Sequence, residues 1–436
     1  MIQGTLSINT DRLFDDLCTK AVLKSAFKEV RRNKGAPGID GVTLRTFESR
    51  LDKELSQLIE ELKSWRYKPT PVRRVEITKP TGGKRKLGIP CVRDRIVQTG
   101  VKLLLEPLLD PSFSDSSYGF RPGRNQRQAV EQAKEQVKSG KPYVVDIDLS
   151  NFFDGINHDR LIARLKTSIL DKRILRLIGM TLRSGIMKEG LYEPTREGAT
   201  QGSPLSPLLS NVVLDELDKE LERRGLSFCR FADDCNIFTS SRKSAERVMS
   251  SLCRYIESHL KLEVNREKSQ VALSDQITFL GMTIINGTIA ISAPSIKTAM
   301  AKVKSLTPRG TSEDLKRTMS RINQWYEGWS NYYSMTQYPA QLAKIEARIR
   351  RRLRSRIISQ QKKRRHLYNR LIERGIKPRT AKKAVYSNRK RWALSHTFPV
   401  EKAYSVAWFE ETIGQIVRSR DKEPHWFDRN KWIKLT

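Results

Sequence analysis

The chain has 436 residues, 38% of them hydrophobic, and carries a formal net charge of +34 at pH 7. This length predicts more than one domain, and the apolar content is enough for packed cores, which excludes a wholly disordered chain. A charge of this size favours a polyanionic partner, and nucleic acid fits it better than a membrane surface.

The longest apolar run, VKLLLEPLL, contains Lys102 and Glu106 and is too short to span a bilayer. The N-terminus lacks the basic and apolar regions of a signal peptide. The five cysteines form no Cys-x-x-Cys pair, which favours a reduced protein without disulfides or structural zinc. We therefore expect a cytoplasmic protein without a membrane span.

The first 140 residues are predicted to be mainly helical, with one hairpin. Apolar residues at helical spacing predict helices before residue 70, and VRRVEITKPTGGKRKLGIP (72–90) predicts a hairpin that turns at Thr81-Gly82-Gly83. A helix through RIVQTGVKLLLEPLL, a loop at SYGFRPGRN (117–125) and a helix over about 126–138 follow.

A strand is predicted next over YVVDIDLS (143–150). Asp146 and Asp148 lie two residues apart in it, so they are expected on the same face of the strand. Hydrophobic alternation would place Val or Ile at these positions, so the two carboxylates require a partner of opposite charge.

Two adjacent aspartates, Asp233 and Asp234, lie between the predicted strands SFCRF and CNIFTS. This layout predicts a β-hairpin with both carboxylates at its tip, although a turn that uses Asp only for local hydrogen bonds has the same pattern. If strand 143–150 lies beside this hairpin, three carboxylates converge and repel each other. Magnesium relieves such repulsion, because it prefers oxygen ligands and binds carboxylates together with substrate phosphates. Two such ions are the arrangement used for in-line phosphoryl transfer.

The region after residue 295 is predicted to be helical and strongly basic. Residues 296–436 contain 34 Lys and Arg against 11 Asp and Glu. The segment QLAKIEARIRRRLRSRI predicts a helix with one apolar stripe and one dense cationic surface. The stripe consists of Leu342, Ile345, Ile349, Leu353 and Ile357, and the cations are Arg348, Arg350, Arg351, Arg352, Arg354 and Arg356. Arginine suits phosphate, so this surface is predicted to bind nucleic acid.

Seven sequence blocks follow the order found in reverse transcriptases: KPTGGKRKLGIP, SYGFRPGRN, VDIDLSNFFD, QGSPLSPLLSNVVLDELD, RFADD, LEVNREKS and FLGM. More narrowly, the chain resembles the enzyme encoded by bacterial group II introns, also called a maturase, over roughly residues 25–400. The segments NQWYEGWSNYYS and IRRRLRSRI resemble the thumb (maturase) domain of that family.

The resemblance implies an α+β fold shaped as a right-hand polymerase. Its fingers and an N-terminal extension would occupy residues 1–140, and a palm with an antiparallel sheet and a catalytic hairpin would occupy residues 141–294. A helical thumb, or maturase domain, would follow over 295–366. A small basic DNA-binding domain would complete the chain over 367–436.

The resemblance also implies a metal site. Asp148, Asp233 and Asp234 would be the catalytic, metal-binding carboxylates, and the backbone carbonyl of Leu149 would be a further ligand. Asp146 fits the family pattern less well. The expected cofactor is a pair of Mg²⁺ ions, with Mn²⁺ as a substitute.

The same resemblance assigns a nucleotide pocket. Phe153 stands five residues after Asp148, where the family has the aromatic gate that excludes a ribose 2′-OH, although a core aromatic would give the same pattern. Lys79 and Arg85 would clamp the triphosphate, although surface basic residues are equally expected in so basic a chain. Gln201 would line the pocket.

Several arginines are assigned to nucleic acid. Arg121 and Arg124 of the RPGR segment would contact the template or support the fingers. In the thumb, Arg350, Arg351 and Arg354 would bind RNA.

Three positions depart from the family pattern. Phe231 replaces the usual Tyr before Ala-Asp-Asp, and the loop Thr200-Gln201-Gly202-Ser203 stands where the family has Pro-Gln-Gly-Gly. The serine at 203 makes the backbone less free there, which could alter nucleotide handling. The scattered histidines and the absence of Cys after Cys253 argue against an H-N-H endonuclease domain. The chain therefore resembles the class C intron enzymes, which lack that domain.

The function implied is that of a reverse transcriptase, an RNA-directed DNA polymerase and nucleotidyltransferase, that binds its intron RNA to assist splicing and mobility by target-primed reverse transcription. Its partners would be intron RNA or an RNA template, a DNA primer, target DNA and dNTPs, in the bacterial cytoplasm with the nucleoid. Two alternatives remain open: a reverse transcriptase adopted by its host for defence or DNA repair, and a splicing cofactor without polymerase activity.

Overall fold

The computed structural model describes residues 10–78, 84–308, 310–361 and 363–413. The chain divides between residues 279 and 280 into two compact units. The four-domain division predicted from the sequence is finer than this and stays a prediction. The mixed helix and strand content agrees with the predicted α+β polymerase fold.

The first unit combines helices with two four-stranded sheets. Its helices, within the described residues, are α1 (Leu13–Leu17), α2 (Lys20–Arg32), α3 (Leu44–Glu48), α4 (Leu51–Lys63), α5 (Val92–Leu109), α6 (Gln126–Lys138), α7 (His158–Lys166), α8 (Lys172–Leu182), α9 (Ser206–Arg223) and α10 (Arg242–Tyr255). Its strands are β1 (Val72–Thr78), β2 (Lys84–Ile89), β3 (Tyr143–Ile147), β4 (Ile186–Lys188), β5 (Leu191–Glu193), β6 (Ser227–Phe231), β7 (Asp234–Thr239) and β8 (Gln270–Leu273).

Several of the predicted helices are confirmed. Helix α6 shows how local side chains determine where such a helix begins. The side chain of Asn125 accepts a hydrogen bond from the Gln128 backbone, while the Gln128 side chain accepts one from the Asn125 backbone. This capping box satisfies two backbone N–H groups that a helix start leaves unpaired. Local side-chain chemistry therefore fixes the start of this helix.

One antiparallel sheet, in the order β6-β7-β3-β8, carries the candidate site. The β6–β7 ladder ends at the pair Phe231–Asp234, which leaves Ala232 and Asp233 as a two-residue turn and confirms the predicted hairpin. β3 pairs with β7 on one side and with β8 on the other. Buried residues of these strands, such as Val145 and Ile237, join the main hydrophobic core of the unit.

The predicted strand over 143–150 is shorter in the structure, because β3 ends at Ile147. Asp148 lies beyond the ladder with β7, which itself begins at Asp234. The Asp148 N–H instead donates to Ser269 Oγ at 3.1 Å, and its carbonyl accepts from the Asn265 N–H at 2.9 Å. The expectation that Asp146 and Asp148 share a strand is therefore wrong: Asp146 stays within the sheet, and Asp148 lies at its end.

The other sheet has the order β2-β1-β4-β5. β1 pairs antiparallel with β2 from Arg73–Ile89 to Thr78–Lys84, which confirms the predicted hairpin, and pairs parallel with β4. The predicted turn at Thr81-Gly82-Gly83 lies outside the described residues.

The second unit opens with a hairpin and continues as helices. Its elements, within the described residues, are β9 (Met282–Ile285), β10 (Thr288–Ile291), α11 (Ala293–Leu306), α12 (Leu315–Tyr332), α13 (Pro339–Gln360), α14 (Arg364–Glu373), α15 (Pro378–Val385), α16 (Arg391–Leu394), α17 (Phe398–Ala403) and α18 (Val406–Ile413). The apolar stripe predicted for α13 is confirmed, because all five of its residues are buried.

No helix within the described parts of the chain is both long enough and apolar enough to cross a bilayer. Each of the five cysteines is buried and has a free thiol.

Candidate active site

Strand pairing brings the predicted catalytic carboxylates to one end of the β6-β7-β3-β8 sheet. Ile147 pairs with Cys235, so the antiparallel register places the next residue, Asp148, across from Asp234. Asp233 precedes Asp234 in the β6–β7 turn. The three acidic residues therefore lie at the ends of neighbouring strands although 85 positions separate Asp148 from Asp233 in the sequence.

The electrostatics of this end of the sheet are dominated by repulsion between carboxylates. Asp234 is exposed to solvent on one side. Its pKa is nevertheless raised to about 7, first because the surrounding protein desolvates the carboxylate and then because Asp233, Asp146 and Asp148 repel its charge. Burial and the charge of Asp148 likewise raise the pKa of Asp146 to about 6, against a lowering hydrogen bond from Gln270. Negative charge is therefore concentrated where a further cation would relieve it.

One protein cation already lies beside these carboxylates. Lys268 Nζ is 3.5 Å from Asp148 Oδ2, and its side chain is largely exposed. Ser269, which bonds the Asp148 backbone, is the next residue. Sequence reasoning recognised the block LEVNREKS that contains both residues but gave them no role, because their proximity to Asp148 depends on the fold.

The carboxylates are predicted to bind a divalent metal that is shared with substrate. Among the described residues, no three acidic, histidine or cysteine side chains form a metal cluster by themselves. Mg²⁺ usually takes only one or two carboxylates and completes its shell with water and substrate phosphates. Asp148, Asp233 and Asp234 are the residues predicted to supply this donor set, and their metal-binding role stays a prediction. The role predicted for the Leu149 carbonyl stays a prediction; Leu149 itself is buried and forms an isolated β-bridge with Val264.

A loop over residues 198–203 connects two of the residues predicted for the nucleotide pocket. The Ala199 N–H donates to the Phe153 carbonyl at 2.7 Å, and the Gln201 carbonyl accepts from the Gly88 N–H of β2 at 2.8 Å. Phe153 is half-buried, and its ring meets Phe152 edge-on at 5.3 Å between ring centres. The loop thus holds Phe153 and Gln201 near the β1–β2 hairpin.

The two basic residues predicted to clamp the triphosphate belong to that hairpin. Arg85 is exposed on β2, opposite Ile77 of β1. Lys79 lies outside the described residues. Both roles stay predictions.

The family departure at Ser203 has a structural explanation. Its hydroxyl donates to Gln98 Oε1 of α5 at 2.9 Å, and both side chains are buried. The preceding Gly202 has a φ of +109°, and a side chain there would collide with the Gly88 carbonyl. The loop therefore keeps one glycine where the backbone requires it and uses the serine to bind a helix.

Arg121 of the RPGR segment lies inside the first unit. Its guanidinium donates to the Asp110 carboxylate and to the carbonyls of Asp110, Ser114 and Ser117. These internal acceptors occupy the donors of Arg121, so the predicted template contact is wrong for this residue; the alternative, that it supports the fingers, stays a prediction. Arg124 bonds the exposed Asp115, and its role in template binding stays a prediction.

The arginines of α13 divide into buried and accessible groups. Arg354 is buried and donates to the Tyr404 carbonyl at 2.9 Å, and the fully buried Arg356 donates to Thr318 Oγ1 and the Glu313 carbonyl. The predicted dense cationic surface is therefore only partly present, because neighbouring segments supply acceptors to Arg354 and Arg356. The RNA contact predicted for Arg354 is replaced by this internal one.

Arg350 and Arg351 are half-buried on the same helix. Arg350 lies 3.8 Å from the Glu346 carboxylate. The guanidinium of Arg351 lies over the Trp392 ring, 4.3 Å from the ring centre. Their predicted contacts with RNA stay predictions.

Comparison with known proteins identifies two matching families along the chain. Residues 77–284 match "Reverse transcriptase (RNA-dependent DNA polymerase)", and residues 296–372 match "Group II intron, maturase-specific domain".

Two curated proteins are similar to this chain over 64% and 61% of its length. Protein YkfC of Escherichia coli (strain K12) is 33% identical over 320 residues, which span 64% of this chain and 84% of YkfC. Group II intron-encoded protein LtrA of Lactococcus lactis subsp. cremoris is 32% identical over 272 residues, which span 61% of this chain and 43% of LtrA. Among solved structures, a chain of a partial Cas6-RT-Cas1–Cas2 complex is 26% identical, with a TM-score of 0.37, over 56% of this chain and 42% of that chain.

Proposed function

The chain belongs to the reverse transcriptase family, among the members that carry the maturase-specific domain of group II introns, and we propose that it is an RNA-directed DNA polymerase that also binds its intron RNA to assist splicing and mobility. Its nucleic-acid partners are RNA and DNA. The intron RNA, the target DNA and target-primed synthesis are parts of the proposal that rest on the relatives.

The observation that supports polymerisation best is the convergence of Asp148, Asp233 and Asp234 at one end of the sheet. In nucleotide addition, the primer 3′-oxygen forms a bond to the α-phosphorus of a dNTP, the hydroxyl loses its proton, and the bond to pyrophosphate breaks. Members of this family generally use divalent metal ions, and we propose Mg²⁺. When bound, the ions would activate the attacking oxygen and stabilise the leaving pyrophosphate.

The remaining predicted residues would bind and select the nucleotide. Gln201 and Phe153 are held by the same loop, so they would contact the base and sugar side of one dNTP. Arg85, on the β1–β2 hairpin, would contact its triphosphate through charge-assisted hydrogen bonds. The Phe153 ring would exclude a ribose 2′-OH by steric contact.

Primer extension on an RNA template, with dNTPs and Mg²⁺, tests the polymerase. We expect complementary DNA up to the end of the template, no product after addition of EDTA, and recovery with excess Mg²⁺. A protein that binds the template–primer tightly but makes no DNA with Mg²⁺ or Mn²⁺ would contradict polymerisation. Splicing of the intron RNA that surrounds the coding sequence, measured with and without protein at low Mg²⁺, tests the second activity.

The sugar selectivity gives a separate prediction. We expect Phe153→Ala to add deoxynucleotides at nearly the parental rate and to lower the preference for dNTP over NTP by at least about tenfold, because only the clash with the 2′-OH is removed. The ratio of kcat/KM for dCTP and CTP measures this effect. Phe152→Leu, at the buried neighbouring ring, is the control and should keep the parental preference; unchanged selectivity in Phe153→Ala would show that the gate lies elsewhere.

A further inference from the structure

Arg230 is a fully buried cation on β6, three residues before the first of the paired aspartates. Its side chain has no exposed surface, and neither has that of Asp218 on α9. Arg230 Nε and Nη2 donate to the two carboxylate oxygens of Asp218 at 2.7 and 2.5 Å. The charge of Arg230 is therefore already neutralised, so this arginine does not serve as a counterion to the catalytic carboxylates.

The third nitrogen of Arg230 reaches the β6–β7 turn. Nη1 donates to the Ala232 carbonyl at 2.8 Å and to Asn211 Oδ1 at 3.1 Å. Ala232 has a φ of +58°, in the left-handed region that non-glycine residues rarely adopt. Such a conformation persists only where the surroundings hold it. The bond from Arg230 fixes the peptide that joins Ala232 to Asp233, and so fixes the direction in which Asp233 leaves the turn.

A second segment, residues 116–119, also contacts β6 and the β6–β7 turn. The Tyr118 N–H donates to the Arg230 carbonyl, and the Arg230 N–H donates to the Ser116 carbonyl, both at 2.9 Å. The Gly119 backbone lies so close to the turn that an added Cβ would be 2.2 Å from the Ala232 nitrogen. Asn211 joins the two sides, because its Nδ2 donates to the Gly119 carbonyl at 2.9 Å.

These contacts oppose the electrostatic repulsion between the carboxylates at this end of the sheet. Asp234 experiences repulsion from Asp233, Asp146 and Asp148, and a two-residue turn without restraint would relax by moving its carboxylates apart. Only arginine can make all the contacts observed, because its planar fork presents separate nitrogens to Asp218, Asn211 and Ala232. One ammonium nitrogen of lysine cannot occupy three positions.

We propose that Arg230 is a positioning residue of the polymerase site: it clamps the Ala232–Asp233 peptide so that the paired aspartates face Asp148 before substrate binds. Arg230 lies behind the turn and does not touch the reacting atoms. The inference rests on the proposed polymerase function, but the clamp itself is a property of the turn that can be measured without catalysis.

The test uses the full chain with the substitutions Arg230→Met and Asp218→Leu combined. This pair removes the buried ion pair and the donor to Ala232 together, and apolar replacement of both partners often leaves stability unchanged. We expect a folded protein with a melting temperature lowered by several degrees, because the Ala232 carbonyl and Asn211 Oδ1 lose a donor. Its affinity for an RNA–DNA template–primer should be parental, and its maximal rate of nucleotide addition should fall about 10²-fold, as expected for small displacements of catalytic groups.

Hydrogen–deuterium exchange of peptides that cover residues 228–236 is the readout independent of activity. We expect faster exchange there in the double variant, with unchanged exchange in the rest of the sheet. The matched control combines Arg164→Met with Asp215→Leu. These changes remove an ion pair between Arg164 and an aspartate of α9, the helix that also carries Asp218, but this ion pair does not contact the β6–β7 turn. In this control, the rate of nucleotide addition and the rate of hydrogen–deuterium exchange over residues 228–236 should remain within about threefold of the parental values.

Arg230→Lys decides the question if the double variant does not fold. It keeps a cation beside Asp218 but not the full set of bonds, so we expect a stable protein whose rate falls at least about tenfold. A folded variant of either kind with the parental rate and parental turn exchange would overturn the proposal, as would equal losses in the control. A parent that makes no DNA would instead contradict the proposed function, while turn exchange would still decide whether the clamp exists.

Discussion

Replacement of Asp148 or Asp233 by asparagine is expected to lower the rate of nucleotide addition by at least about 10³-fold. Each change keeps the size of the side chain and removes one negative charge from the end of the β6-β7-β3-β8 sheet. In the proposed mechanism, the transition state would lose a ligand of the metal that stabilises its developing charge. Single-turnover primer extension with saturating Mg²⁺ measures the loss.

Binding of RNA should be nearly unaffected in these variants, because their strands and turn remain paired as in the parent. Asp275→Asn is a suitable control: this exposed aspartate follows β8 at the opposite end of the same sheet. It should synthesise DNA at the parental rate. Polymerisation within tenfold of the parent by Asp148→Asn or Asp233→Asn would remove these residues from the active site.

The second large effect is expected on stability. Arg121→Met should lower the free energy of unfolding by about 3 kcal/mol, because it leaves the Asp110 carboxylate and three backbone carbonyls without their donor in a largely buried site. Arg124 lies three residues after Arg121, and Arg124→Met removes an ion pair with the Asp115 side chain, which is 98% exposed. Its effect should be below about 1 kcal/mol. Urea unfolding of the two variants under the same conditions compares them directly.

The salt dependence of nucleic-acid affinity distinguishes a structural role of Arg121 from a role in nucleic-acid binding. Loss of one phosphate contact would reduce the slope of log affinity against log salt by roughly 0.7 to 0.9. Folded Arg121→Met protein, assayed at low temperature, should keep the parental slope, because its guanidinium is fully engaged inside the protein. A stable Arg121→Met variant with a reduced slope would restore the template contact that the sequence predicted.

The sequence by itself determined the features that depend on neighbouring residues. Asp233 and Asp234 between two short apolar runs were enough to predict a hairpin, and the 3.6-residue spacing of Leu342 to Ile357 was enough to predict the buried stripe of α13. The order of seven blocks was enough to predict the family, which the matches to reverse transcriptase and maturase-specific domains confirm. These features are local because hydrogen bonding within turns and helices links residues close in the chain.

Tertiary structure alone decided which charged side chains are available to a partner. Arg121, Arg124, Arg230, Arg350 and Arg354 read alike in the sequence, yet three of them are buried against internal acceptors and two are half-buried. It also decided that β3 ends at Ile147 and that register places Asp148 across from Asp234. The physical reason is that the behaviour of a guanidinium or a carboxylate depends on the groups around it, and the fold brings those groups together from positions between 2 and 121 residues apart in the chain.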